Sequence, residues 1–124
     1  MSSISVLTCE DNNDLREALA TALRAADFTV YEAGDGVAGV EQALTHHPDV
    51  ILMDILMPGL NGHEAVKKIR LDPWGKTAKI IYLSALSDAE NVVHAVKSGS
   101  EEYIVKTHTN LADIVEKIRL AKHT

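Results

Sequence analysis

The sequence predicts a doubly wound α/β fold, a (βα)5 parallel sheet covered by helices on both faces. Two observations carry this expectation. Five short β-rich runs alternate with segments of helical period along the 124 residues, the pattern of a parallel sheet built from strand–helix–strand crossovers. One of those runs, Val50-Ile51-Leu52-Met53, is continuously apolar, as a strand buried on both faces must be.

The first strand is read at Ile4–Cys9. The helix after it places Leu15, Ala18, Leu19, Ala22, Leu23 and Ala26 on one apolar stripe, the spacing of a helix packed along one side. The second strand, Thr29–Ala33, carries β-branched and aromatic residues. The second helix has a shorter stripe, Val37, Val40 and Leu44, and stops before Pro48, because proline disfavours helix in the residue preceding it. The third strand is Val50–Asp54, and Asn61 with Glu64 has the spacing that opens a third helix. The fourth strand is Lys79–Ser84; Ser87 with Glu90 is the better capping box, and Gly99 suits the end of the fourth helix. The fifth strand is Tyr103–Lys106, and Asn110 caps a fifth helix whose stripe is Leu111, Ile114, Val115 and Ile118. With no repeat, low-complexity tract or long linker, one domain with a core over about residues 4–122 is expected.

Composition narrows the function classes. Apolar residues at 46% and charged residues at 24% describe an ordinary globular chain. The single cysteine, Cys9, excludes an internal disulfide framework and a multi-cysteine zinc site. The start, Met1-Ser2-Ser3-Ile4-Ser5, has no signal-peptide character, and no apolar run reaches the ~18 residues of a membrane span. A cytoplasmic location without membrane contact is expected. Twelve basic against 18 acidic residues give a net charge of −6 with no basic block, which disfavours direct binding of nucleic acid.

Right-handed crossovers bring the carboxyl ends of all strands to one edge, where open parallel sheets bind their ligands. Glu10 and Asp11 follow the first strand, Asp54 ends the third, Ser84 the fourth and Lys106 the fifth. Singly, Glu10-Asp11 also reads as the solvated start of a helix, Ser84 as a turn residue and Lys106 as a surface charge. Asp54 is harder to dismiss, because it closes a strand of bulky apolar residues where ionised groups are rare. Three clustered carboxylates repel, so protons or a cation must compensate. Oxygen ligands suit Mg²⁺, with Mn²⁺ able to substitute, rather than zinc. A carboxylate beside such a cation and a lysine can attack phosphorus and form an aspartyl phosphate.

Glu10-Asp11, Asp54 in Asp54-Ile55-Leu56-Met57-Pro58-Gly59-Leu60-Asn61-Gly62, Ser84-Ala85 and Lys106 together resemble the receiver domain of two-component response regulators. The resemblance covers essentially the whole chain and implies the flavodoxin-like strand order 2-1-3-4-5. It implies that Asp54 is the phosphoacceptor, that Asp11 ligates Mg²⁺ directly and Glu10 through water, and that the Leu56 carbonyl is a further ligand. Lys106 then pairs with Asp54 and later with the phosphoryl oxygen, Ser84 donates to that group beside the small Ala85, and Tyr103 is the aromatic of the switch. The implied partners are a sensor histidine kinase or phosphotransfer protein, docking on the first helix and the site loops, and a downstream effector. The effector surface joins the fourth helix, fifth strand and fifth helix and includes Glu90, His94, Lys97, Glu101, Tyr103 and Lys117. Such a domain catalyses only its own phosphorylation and dephosphorylation. One position departs from the family: Lys106-Thr107 stands where Lys-Pro with a cis bond is usual. A cis bond before a non-proline residue costs ~2.5–4 kcal/mol, so either the site enforces it or the bond is trans.

Competing classes fit less well. A haloacid-dehalogenase-type phosphatase needs a second aspartate two residues after the nucleophile, where Leu56 stands. A receiver that has lost its chemistry is unsupported while Asp54, Asp11, Ser84 and Lys106 are all present, and a flavodoxin-like role lacks a phosphate loop after the first strand. Leu56 and Leu86 lie two residues after the acceptor and the hydroxyl; neither can orient a water, which points to a long-lived phosphoaspartate. The six histidines, His46, His47, His63, His94, His108 and His123, read as surface residues rather than metal ligands. Cys9 reads as a buried core side chain, and Trp74 as packing over its own turn.

Overall fold

The computed structural model describes residues 4–84, 102–105 and 110–122. Their strands are β1 (Ser5–Cys9), β2 (Thr29–Ala33), β3 (Val50–Asp54), β4 (Ile80–Ser84) and β5 (Glu102–Val105), and all pair in parallel in the order β2-β1-β3-β4-β5. The expected order therefore holds, with strand limits within a residue of those read from the sequence. The capping box at Ser87 and Glu90, the helix end at Gly99 and the Lys106-Thr107 bond lie outside the described residues. Among the described residues there is no cis peptide, and no helix is long and apolar enough to cross a membrane.

Two apolar layers sandwich the sheet. On one face α2 (Gly36–His46) and α3 (Gly62–Arg70) cover Leu7, Cys9, Ile51, Met53, Ile80 and Tyr82. On the other, α1 (Asn13–Ala25) and the Leu111–Lys122 helix cover Val6, Val50, Leu52, Ile81 and Leu83. Strand side chains alternate between the faces, so β3 feeds both layers and none of its residues exceeds 3% exposure.

Side-chain caps fix the helix starts. Asn12 accepts from the Leu15 N–H at 2.9 Å, Asp35 from Ala38 at 2.8 Å and Asn110 from Asp113 at 2.9 Å. Asn61 and Glu64 close a complete, reciprocal capping box on α3. In α1, Leu19 and Leu23 are buried as expected, but Ala18 is exposed and Ala20 buried in its place.

The stripe expected for the second helix is corrected. Val37 and Leu44 are exposed, and the buried residues of α2 are Gly36, Gly39 and Ala43. The cause is close approach: a Cβ at Gly39 would stand 2.9 Å from the Cys9 sulfur, so small residues meet the sheet, Val40 packs partly buried beside them as expected, and Val37 and Leu44 face solvent. At its end, His47 adopts the left-handed conformation (φ 46°) ahead of buried Pro48.

At the amino edge of the sheet, Asp49 joins three elements. Its carboxylate accepts from the Ser5 N–H at 2.8 Å and pairs with the Lys122 ammonium at 3.2 Å, while its own N–H donates to the Ser5 hydroxyl at 2.9 Å. Burial pushes the Asp49 carboxyl up, but the hydrogen bonds from Ser5 and Lys122 and the Lys122 charge outweigh it and hold it below the ordinary carboxylate range.

Candidate functional site

The site stands at the opposite, carboxyl edge. Cys9 on β1 is in register with Met53 on β3, so the next residues along, Glu10 and Asp54, leave the sheet side by side. The Glu10 N–H donates to the Ala33 carbonyl at 3.0 Å, and the Glu10 carboxylate accepts the Asn12 N–H at 3.2 Å. Glu10 is 1% exposed and Asp54 3%, whereas Asp11 between Glu10 and the helix cap is open to solvent.

One carboxylate oxygen from each of Glu10, Asp11 and Asp54 lies within 4.8 Å of the others. Two buried acids and one exposed acid at that spacing make an all-oxygen donor set with one open side. Such a set fits a hard divalent cation that keeps several waters, and its mutual repulsion is what a cation relieves.

The rest of the site arrives by several routes. Ser84 ends β4 fully buried, one residue past Leu83, which is in register with Asp54. Leu56 is 56% exposed. Tyr103 pairs with Tyr82 across β4 and β5; the switch role expected of its side chain, and the roles of Lys106, Ala85 and Leu86, lie outside the described residues. The start of α3 braces Asp54 as well. That helix begins against the end of β3, with the Gly62 N–H donating to the Ile55 carbonyl at 2.9 Å. A Cβ at Gly62 would lie 2.2 Å from the Asp54 carbonyl oxygen, so no other residue fits without moving the helix.

Sequence reasoning assigned no part to Gly62 or to Arg16, whose guanidinium donates to the Glu10 carbonyl at 2.9 Å. The Gly62 signal was present in the glycine closing the segment after Asp54; a side chain reaching back from the first turn of a helix leaves no signature. Cys9, expected in the core, is buried there, and burial together with the charges of Asp35 and Asp54 pushes its thiol far up. It stays protonated and is no nucleophile.

The histidines are more engaged than a bare surface reading expects. His46 and His47 are exposed, yet His46 stacks on Tyr31 at 3.9 Å and His47 on Trp74 at 4.4 Å. His63 is half-buried, edge-on to Tyr82 at 4.9 Å. None of the three belongs to the carboxylate cluster, while His94, His108 and His123 lie outside the described residues. Trp74, expected to pack over its own turn, is partly buried against the α2–α3 layer.

Comparison with known proteins gives one family. The response regulator receiver domain matches residues 6–119. The transcriptional regulatory protein LiaR of Bacillus subtilis is 40% identical over 95% of this chain and 56% of its own length. The response regulator domain of Thermotoga maritima CheB is 32% identical, with 99% of this chain and 98% of that one covered at a TM-score of 0.88. The receiver domain of the sensor histidine kinase PA1611 of Pseudomonas aeruginosa, a structure with a magnesium ion in its active-site cleft, is 25% identical over 99% of this chain and 100% of that one, at a TM-score of 0.89. The chain spans about half the length of the curated relatives it matches.

Proposed function

Because this chain belongs to the response regulator receiver domain family, we propose that it takes a phosphoryl group onto Asp54 from a phosphohistidine donor, a sensor kinase or a phosphotransfer protein. The observation that carries this reading is the buried Asp54 carboxylate at the end of β3, gathered with Glu10 and Asp11 within 4.8 Å.

The carboxylate oxygen of Asp54 attacks phosphorus in line. The bond from phosphorus to the donor's imidazole nitrogen breaks as the acyl phosphate forms, and the electron pair stays with the imidazole. Asp11 and Asp54 would hold Mg²⁺ directly with the Leu56 carbonyl, Glu10 would hold it through water, and Mn²⁺ could substitute. When bound, the cation supplies positive charge that offsets both the carboxylate repulsion and the charge of the transferring group. Lys106 adds an ammonium to the same task, and Ser84 donates a hydrogen bond to the phosphoryl oxygen. The chain acts catalytically only on its own phosphorylation and dephosphorylation.

Phosphorylation adds roughly two negative charges and strong acceptors at Asp54. Ser84 and Tyr103 answer that change and bias the surface around β5 and the Leu111–Lys122 helix toward an effector protein or domain. The test is incubation with Mg²⁺ and acetyl phosphate or phosphoramidate, read by intact mass and peptide mapping. Wild type gains one phosphoryl group on the peptide containing Asp54, and Asp54→Asn gains none while keeping its fold. Undiminished labelling of Asp54→Asn overturns the assignment.

A further inference from the structure

We propose that Arg16 is a positioning residue for the acidic loop, holding the Glu10 backbone in place so that Glu10, Asp11 and Asp54 keep the spacing a divalent cation meets. This rests on reading those carboxylates as the Mg²⁺ site.

Arg16 lies in the first turn of α1, and its guanidinium is engaged at all three nitrogens. Nη1 donates to the Glu10 carbonyl at 2.9 Å, Nη2 to the Asn13 side chain at 2.7 Å, and Nε faces Glu32 of β2 at 3.7 Å. The other Glu32 oxygen pairs with Arg24 at 3.2 Å, a contact that does not reach the Glu10 loop. Gly34 leaves the room: a Cβ there would come to 3.1 Å from Nη1.

Glu10 is thereby fixed at both backbone groups, its N–H on the Ala33 carbonyl and its carbonyl on Arg16. Two residues on, Asn12 is fixed as the cap of α1. Asp11, the exposed member of the trio, sits between these anchors. Carboxylate repulsion pushes Asp11 outward; a planar fork with donors in fixed directions opposes that motion as a flexible ammonium cannot.

The sign of the effect separates positioning from plain electrostatics. Removing a cation near an acidic site strengthens Mg²⁺ binding by Coulomb's law, whereas loosening the loop weakens it. Residues that orient metal ligands cost about 10–100-fold in affinity when removed. Calorimetric titration with Mg²⁺ is therefore expected to show about ten-fold weaker binding in Arg16→Met. Arg16→Lys recovers part of the loss. Arg24→Met, which removes the same charge from the same glutamate without touching the loop, binds as well as wild type or better. Unchanged or tighter binding in Arg16→Met overturns the proposal, even if that variant melts lower. A second arm needs no metal: amide hydrogen exchange of Asp11, Asn12 and Asn13 speeds up in Arg16→Met while β3 keeps its protection. Equal protection of that loop in both proteins overturns the proposal as well. If wild type takes up no Mg²⁺, the reading of the trio fails, and the exchange arm alone decides the role of Arg16.

Discussion

Replacing Gly62 by alanine tests how tightly the end of β3, at Asp54, is braced. The new Cβ would stand 2.2 Å from the Asp54 carbonyl oxygen and 2.8 Å from the Ile55 Cα. Both are backbone atoms, so neither can rotate away, and reaching a C···O contact of ~3.3 Å requires α3 and the end of β3 to part by about 1 Å. Overpacking of this kind costs about 1–3 kcal/mol. Weakening the Gly62-to-Ile55 hydrogen bond adds about 1 kcal/mol, and the better helix propensity of alanine returns up to about 1 kcal/mol. The net is a destabilisation of about 1–3 kcal/mol. In a chain of this size that lowers the melting temperature by roughly 4–12 °C. Because the displaced carbonyl belongs to Asp54, phosphoryl uptake from acetyl phosphate slows too. Thermal melts by circular dichroism and a time course of uptake by mass read the two effects. A Gly62→Ala protein that melts within about 2 °C of wild type and phosphorylates at full rate refutes the argument.

The same geometry sets three further outcomes. Asp11→Asn weakens Mg²⁺ binding more than Glu10→Gln, because Asp11 is assigned direct ligation; a calorimetric titration with equal or reversed losses contradicts the assignment. Leu56→Asn, which sets a polar group on a side chain now 56% exposed beside the site, shortens the lifetime of phosphorylated Asp54 in Mg²⁺ by letting a water be oriented for attack; an unchanged decay rate ends the idea that this leucine shields the phosphoryl group. Asp49 has its carboxyl held below the ordinary value of 3.8, so the stability it contributes is complete above that value and is lost as pH falls through the lowered one. The gap in melting temperature between wild type and Asp49→Asn is accordingly wide at neutral pH and narrows below about pH 4, and a gap independent of pH argues against the clasp.

The parts of the fold that were legible are those whose signal is local or periodic. The apolar run of β3, the caps at Asn61 and Asn110, and acids placed just past strand ends all derive from residue type and spacing, and with the parallel topology they bring Glu10, Asp11 and Asp54 together. The second helix misled because apolar periodicity weights bulky residues. Its true inner face is Gly36, Gly39 and Ala43, chosen for closeness rather than for hydrophobic area. Asp49 with Ser5 and Lys122, and Arg16 with Glu10 and Glu32, were illegible for another reason. Polar side chains that meet across strands share no pattern along the chain, and only the packed backbone determines which reach one another.

The sheet order has a consequence for what survives partial unravelling. β1 and β3 each have a strand on both sides, whereas β2 and β5 are outer strands. Outer strands, with half the ladder bonds, open at lower free energy than inner ones. Peeling β5 away would strip the flank proposed to meet an effector, yet leave the ends of β1 and β3 and their trio of acids standing. The proposed cation site thus sits on inner strands, and the proposed output surface on an outer one, where a modest push suffices to change it.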